Sequence, residues 1–170
     1  MAVWFISDPH LGHKNIPKYR PWVSSVEDNT NKIVNLWHTT VRKNDMVYVL
    51  GDAAFDDQSL EMLGNLKGRK ILIKGNHDDF VSTKLQSQVF EEIHGIIKYK
   101  AMWLSHAPIH PAELRGKCNA HGHVHAKSVR TWYGSLDKRY HNTCVDVIYP
   151  KTGNVFVNLE TIKSYFGLSK

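Results

Sequence analysis

Five short blocks hold most of the residues in this sequence that could do chemistry. They are Ser7-Asp8-Pro9-His10, Gly51-Asp52, Gly75-Asn76-His77-Asp78, Ser105-His106 and His121-Gly122-His123-Val124-His125. Pooled, they offer the carboxylates of Asp8 and Asp52, the amide of Asn76 and the imidazoles of His10, His77, His106, His123 and His125, with no thiolate among them. Such a mixed oxygen and nitrogen set suits divalent Mn, Fe, Zn, Ni or Co better than a site built for Ca2+. It is also larger than one catalytic metal uses. Two metals about 3.5–4 Å apart, sharing a carboxylate, would use it fully. Gly51, Gly75 and Gly122 stand where backbone must pass close to such a site.

The elements that must position these blocks are legible from the apolar pattern. Val3-Trp4-Phe5-Ile6, Met46-Val47-Tyr48-Val49-Leu50, Ile71-Leu72-Ile73 and Ala101-Met102-Trp103-Leu104 precede the first four blocks, and Asn119-Ala120 lies just before Gly122-His123-Val124-His125. Short apolar runs rich in β-branched and aromatic residues read as strands buried on both faces. Ligands in open α/β sheets bind beyond the carboxyl ends of strands, where the blocks fall. Between the runs, Ile33, Leu36, Trp37 and Val41 predict a helix over 31–42 capped by Asn29 or Thr30. Leu60, Leu63 and Leu66 predict a second after Asp57, and a third is expected over 83–91. Cys144-Val145-Asp146-Val147 and Asn154-Val155-Phe156-Val157-Asn158-Leu159 read as a hairpin around Tyr149-Pro150-Lys151-Thr152-Gly153, with a last helix near 159–166. The alternation is that of an α/β domain, as one sheet or as two packed sheets with helices outside.

Composition narrows the class. A chain of 170 residues, 42% apolar and 22% charged, reads as one domain over 1–170 with a real core. No apolar run approaches the ~20 residues of a membrane span, and the first residues match neither a signal peptide nor an anchor, so no membrane partner and a cytoplasmic location are expected. Cys118 and Cys144 are too few for a disulfide framework and lack zinc-site spacing. The net charge of +6 leans toward phosphate esters, nucleotides or nucleic acid. Oligomeric state is not legible.

The ordered series Asp8-x-His10, Gly51-Asp52, Gly75-Asn76-His77-Asp78, His106 and Gly122-His123-x-His125 resembles the calcineurin-like metallophosphoesterases, and is closest to their small single-domain microbial members. The resemblance spans residues 3 to about 148. It implies an α/β fold, a four-layer α/β/β/α sandwich of two packed mixed sheets, with a dinuclear site at one edge. It further implies one divalent metal on Asp8, His10, Asp52 and His125, and a second on Asp52, Asn76, His106 and His123. Manganese is the first expectation, with iron, zinc or nickel as alternatives. The implied reaction is attack of a metal-bridging hydroxide on a phosphodiester or phosphomonoester. His77 matches the non-ligand histidine that assists the leaving oxygen, and Asp78 the acidic residue beside it, expected to orient His77 or the loop. One departure matters. The second block continues Ala53-Ala54-Phe55-Asp56, with Phe55 where the protein phosphatase branch has a second Asp followed by Arg.

Three segments are long enough to rim the site: 13–22, 108–117 and 127–141. They hold cations beside aromatics, a combination suited to phosphates that carry bases. Arg115 is the first candidate for a phosphate contact, followed by Arg20 and Lys14. Trp22 and Trp132 are the tryptophans on the rims, whereas Trp4, Trp37 and Trp103 read as core. The expected substrate is a small phosphoester, nucleotides or cyclic nucleotides foremost, with diesters preferred. A nuclease on DNA or RNA using the same site, and a non-catalytic scaffold, are the rival readings.

Overall fold

Residues 1–168 are described in the computed structural model of the chain. Its strands are β1 (Val3–Ile6), β2 (Met46–Val49), β3 (Arg69–Ile73), β4 (Glu92–His94), β5 (Ile96–Tyr99), β6 (Met102–Ser105), β7 (Cys118–His121), β8 (Tyr140–Asn142) and β9 (Val157–Asn158). Its helices are α1 (Ile16–Tyr19), α2 (Val26–Thr40), α3 (Asp57–Asn65), α4 (Thr83–Val89), α5 (Val145–Thr152) and α6 (Leu159–Tyr165). Two mixed sheets form. One has the order β4-β3-β2-β1-β9, parallel except for β9, and the other β5-β6-β7-β8, parallel except for β5.

Strict alternation explains why the first sheet is buried on both faces. Ile6, Val47, Val49 and Leu72 point one way, onto Ile33 and Trp37 of α2 and Leu60 and Leu63 of α3. Phe5, Tyr48, Ile71 and Ile73 point the other way, meeting Met102 and Leu104 of β6 and Ala120 of β7. That second cluster is the core between the sheets. Helices cover the far face of the first sheet. The far face of the second is thinly covered: Trp103 there donates its indole N–H to Leu114 O (3.2 Å) beside a single 3-10 turn, Pro111–Glu113.

The helices begin where side-chain caps dictate. Ser25, not Asn29 or Thr30, caps α2 by accepting from Asp28 N (3.0 Å), so the helix starts at Val26 and Asn29 is buried inside it. Asp56 caps α3 and Ser82 caps α4 in the same way.

The expected hairpin near residue 150 is instead α5, ended by Gly153 in the left-handed region (φ 70°). Val145, Ile148 and Tyr149 recur at helical spacing, and burying Val145 and Ile148 outweighs the turn preference of Pro150 and Gly153. Only Val157–Asn158 of the second arm forms a strand.

Candidate metal centre

The five blocks converge at one edge of the two sheets. As β1 and β2 end, their exits keep pairing: Asp8 N donates to Gly51 O (3.1 Å), His10 N to Asp52 O (3.1 Å) and Phe55 N to Leu11 O (2.8 Å). Asp8, His10, Asp52, His123 and His125 all lie in the left-handed region, at φ of 56°, 51°, 55°, 67° and 47°. Non-glycine residues pay on the order of 1–3 kcal/mol each to stay there. The glycines sit where contact leaves no room for a side chain. A Cβ on Gly51 would collide with the His106 ring, one on Gly75 with the Asp52 carboxylate, and one on Gly122 with Asp8 and Ser7.

Asp52 is the centre of the donors. Its Oδ1 accepts from His77 N (2.9 Å), while Oδ2 lies 3.4 Å from both His10 Nε2 and His106 Nε2. On the His106 side, Asn76 Oδ1 is 3.0 Å from His106 Nε2 and 3.0 Å from His123 Nδ1, and the two ring nitrogens are 3.2 Å apart. His106 Nδ1 donates to Leu50 O (2.8 Å), which leaves Nε2 as the donor to a metal. On the other side, Asp8, His10 and His125 each place a ligand atom within 4.8 Å of the others, and so do Asp8, Asp52 and His106.

Two features fit this cluster to cations. His10 is only 5% exposed, yet neither ring nitrogen has a hydrogen-bond partner. The charges are also poised for a positive ion. Burial opposes ionisation of Asp52, but the facing imidazoles and the His77 amide hold its carboxyl far below the usual range. Burial likewise opposes protonation of His106, and the Asp52 and Asp8 carboxylates overcome it, pushing the imidazole up to about 9. A proton on His106 occupies the place that a metal's charge would take.

Arg20 is not a substrate contact. Its side chain is 0% exposed and all five of its N–H bonds are used. Nε and Nη2 donate to the Asp146 carboxylate (2.7 and 3.3 Å), Nη1 to Asn29 Oδ1 (2.7 Å) and Pro9 O (3.1 Å), and Nη2 also to Asp8 O (2.8 Å). Charge alone made it a phosphate candidate, and burial assigns it to holding the Asp8-Pro9 backbone.

Asp146, which sequence reasoning missed, completes the support. Its Oδ2 is 2.7 Å from His125 Nδ1, which leaves Nε2 as the ring nitrogen free to bind a metal. Burial raises the Asp146 carboxyl, but His125 and Arg20 outweigh it and bring it to about 2. The only signal in the sequence was the spacing of Val145, Ile148 and Tyr149, which makes the segment helical and aims Asp146 inward.

Asp78 acts on the loop rather than on the His77 ring. Its buried carboxylate accepts from Asp52 N (3.0 Å), Ala53 N (2.8 Å) and Gly75 N (2.7 Å), tying together two donor-bearing exits. It is therefore a positioning residue. His77 itself is half-buried between aromatic rings. It stacks on Phe80 (5.6 Å between centroids, 12° between planes), and Phe55 lies 5.1 Å from it. Phe80 is 64% exposed, so this aromatic shelf runs from beside His10 to solvent.

A groove of about 460 Å3 opens beside Asn76, His106 and His123, and Lys74 is the cation that lines it. Lys74 also pairs with Asp79 (2.5 Å). It directly precedes the third block, a position that charge counting overlooked. Lys14 is exposed, and Arg115 is exposed and paired with Glu113 (3.1 Å). Neither lines the groove.

The model of the calcineurin-like phosphoesterase family matches residues 1–154, and the chain belongs to that family. The Gene 66 protein of Mycobacterium phage D29 is 31% identical over 166 residues, covering 76% of this chain and 81% of that one. An uncharacterized protein of Methanocaldococcus jannaschii is 39% identical over 84 residues, covering 46% and 47%. Among solved structures, a protein of unknown function from Aquifex aeolicus aligns with a TM-score of 0.65 at 25% identity, covering 96% of this chain and 98% of that one. The Pseudomonas putida nuclease MPE shares the fold, with a TM-score of 0.53 at 19% identity, over 79% of this chain and 66% of its own. The chain is thus a metallophosphoesterase-fold hydrolase with Asp and His groups able to hold metal.

Proposed function

We propose that this chain, one domain over residues 1–170, is a dinuclear phosphoesterase acting on small phosphodiesters or phosphomonoesters, with nucleotides and cyclic nucleotides foremost. The observation that carries the reading is Asp52 Oδ2, equidistant at 3.4 Å from His10 Nε2 and His106 Nε2. Asp8, His10, Asp52 and His125 would hold one cation, and Asp52, Asn76, His106 and His123 the other. Manganese suits this set first, and iron, zinc and nickel also accept it.

Two cations bound there would supply Lewis acidity, lowering the pKa of water and offsetting charge on the phosphoryl oxygens. The chain's own residues do the rest. The left-handed backbone at Asp8, His10, Asp52, His123 and His125 pre-organises the donors, so no ordering remains to be paid at the moment of reaction. His77, carried on the loop that Asp52 and Asp78 fix, donates a proton to the departing oxygen. Lys74 pairs with a phosphate oxygen in the groove, with Lys14 and Arg115 available from the rims. Phe80 and Phe55 offer a flat apolar face beside His77, which favours a leaving group with a planar ring.

The preference for diesters rests on the groove beside Asn76, His106 and His123, which is open to solvent. Among the described residues no helix is long and apolar enough to cross a membrane. A nuclease is the second reading, supported by the net charge of +6 and the shared fold of the nuclease MPE. A non-catalytic scaffold would have no use for five strained donor residues. The test is hydrolysis of bis-p-nitrophenyl phosphate and p-nitrophenyl phosphate by metal-stripped protein with Mn2+ restored. Mn2+-dependent release, faster for the diester and absent in Asp52→Asn, is expected. No release with Mn, Fe, Zn or Ni would overturn the reading.

A further inference from the structure

Beyond His125 the chain builds a small hairpin that the metal donors do not need. Asp137 N donates to Val129 O (3.0 Å), Thr131 N to Ser135 O (2.8 Å), and Arg130 bridges to Leu136 across the two arms. Gly134 N closes the tip onto Thr131 O (2.9 Å) with Gly134 at φ 79°. The Thr131 and Ser135 hydroxyls meet at 2.7 Å, and Arg130 Nη1 donates to Gly134 O (2.7 Å). The tip is therefore well braced.

Trp132 and Tyr133 occupy the two central positions of that turn, 97% and 93% exposed. Turn centres favour Gly, Pro, Asn, Asp and Ser, each for its backbone preferences. Large aromatic rings help neither the turn nor the core here, since among the described residues neither ring stacks on another aromatic. Around them, residues 127–139 hold Lys127, Arg130, Lys138 and Arg139 against Asp137 alone, a local charge of +3 from four cations and one anion. Asp137 is buried and already bonded to Arg139.

We propose that this hairpin is a binding arm for single-stranded nucleic acid. Exposed bases stack on Trp132 and Tyr133, while Lys127, Arg130 and Lys138 pair with the phosphates. A duplex hides the base faces the arm is built to meet. A lipid surface would also take the aromatics, but a cluster of cations beside flat rings matches a polyanion whose planar groups alternate with its charges. The arm is fixed to the metal centre at its root: Asn142 Nδ2 donates to His125 O (2.7 Å) and Lys127 O (3.0 Å). An oligonucleotide is then the substrate class the arm would deliver to the donors. That last step rests on the phosphoesterase reading, and the binding does not.

The test titrates a fluorescein-labelled oligo(dT) strand with the whole protein by anisotropy, the strand being shown intact afterwards on a denaturing gel. Trp132→Ala/Tyr133→Ala should weaken binding by about 10- to 100-fold. The same variant should leave bis-p-nitrophenyl phosphate hydrolysis unchanged. Arg130→Gln should lower the slope of log affinity against log salt by about 0.7. Equal affinity in the double variant, equal affinity for a blunt duplex, or binding to phosphatidylserine vesicles with none to the strand would each overturn the proposal. Strand binding without ester hydrolysis would instead leave the arm standing and sink the phosphoesterase reading.

Discussion

Replacing Asp146 with Asn should cripple one metal site without touching a metal donor. The Asp146 carboxylate serves two side chains at once: Oδ1 accepts from Arg20 Nε (2.7 Å), and Oδ2 accepts from His125 Nδ1 (2.7 Å) and Arg20 Nη2 (3.3 Å). Asn has one oxygen to offer. If it faces Arg20, the amide N–H2 meets His125 Nδ1 and drives the ring proton to Nε2, the nitrogen meant for the metal. If it faces His125, the amide opposes the guanidinium. Either way at least one charge-assisted hydrogen bond is lost, worth about 1.5–3 kcal/mol. The His125 side chain is 43% exposed, so solvent screening favours the lower end of that range. At about 1.4 kcal/mol per decade this is a loss of about 10-fold or somewhat more in the affinity of the His125 site, within the 10- to 100-fold range for residues that orient metal ligands. Arg20 would meanwhile stay buried with half of its anionic partner gone, a change that destabilises by about 3–5 kcal/mol when complete. Competition of Mn2+ with a fluorescent chelator, read beside urea denaturation, measures both effects. The expected result is one weakened metal site, one little changed, and a lower urea midpoint. Unchanged affinity at both sites would refute the role given to Asp146.

Other consequences are as specific. Gly51→Ala places a methyl against His106 and Gly75 Cα (2.8 Å) at a backbone φ of 86°, so Mn2+ binding at the His106 site should be lost and the urea midpoint should fall. His77→Ala should keep its metals yet slow an alkyl ester far more than a p-nitrophenyl ester, by about 100-fold against little change, because only the poor leaving group needs the proton. His141, packed on Tyr165 (4.7 Å), is held down to about 4 by burial first and then by His121 and Lys151. Its folded value lies below the ordinary 6.5, so neutral His141 costs nothing above that pH, and stability should drain away as pH falls from about 6.5 to 4. At 1.36 kcal/mol per unit the drain is about 3 kcal/mol, and His141→Phe should remove it from the difference between urea midpoints at pH 7.5 and 4.5.

The convergence of the candidate donors at one edge was legible because strand ends announce themselves. Apolar runs stop at Ser7, Gly51, Lys74 and Ser105, and the residues just beyond them have nowhere to go but the shared edge. Other features depended on knowing what is buried. Arg20 reads as a free cation until Asn29, Pro9, Asp8 and Asp146 are seen around it. Asp146 was hidden by Tyr149-Pro150-Lys151-Thr152-Gly153, whose turn chemistry masks a helix made by burying Val145 and Ile148. Strands β4, β5 and β8 are only three or four residues long and are interrupted by Glu92 and His94, by Lys98, and by His141 and Asn142, so no long apolar run marks them, and they form because neighbouring strands need partners.

The central claim is that Asp52 joins two cations, and electron paramagnetic resonance of Mn2+-loaded protein tests it most directly. Two Mn2+ per chain with the broad spectrum of an exchange-coupled pair, reduced in Asp52→Asn to the six-line pattern of isolated Mn2+, is the predicted result. One Mn2+ per chain with a six-line pattern in the wild type would contradict the account.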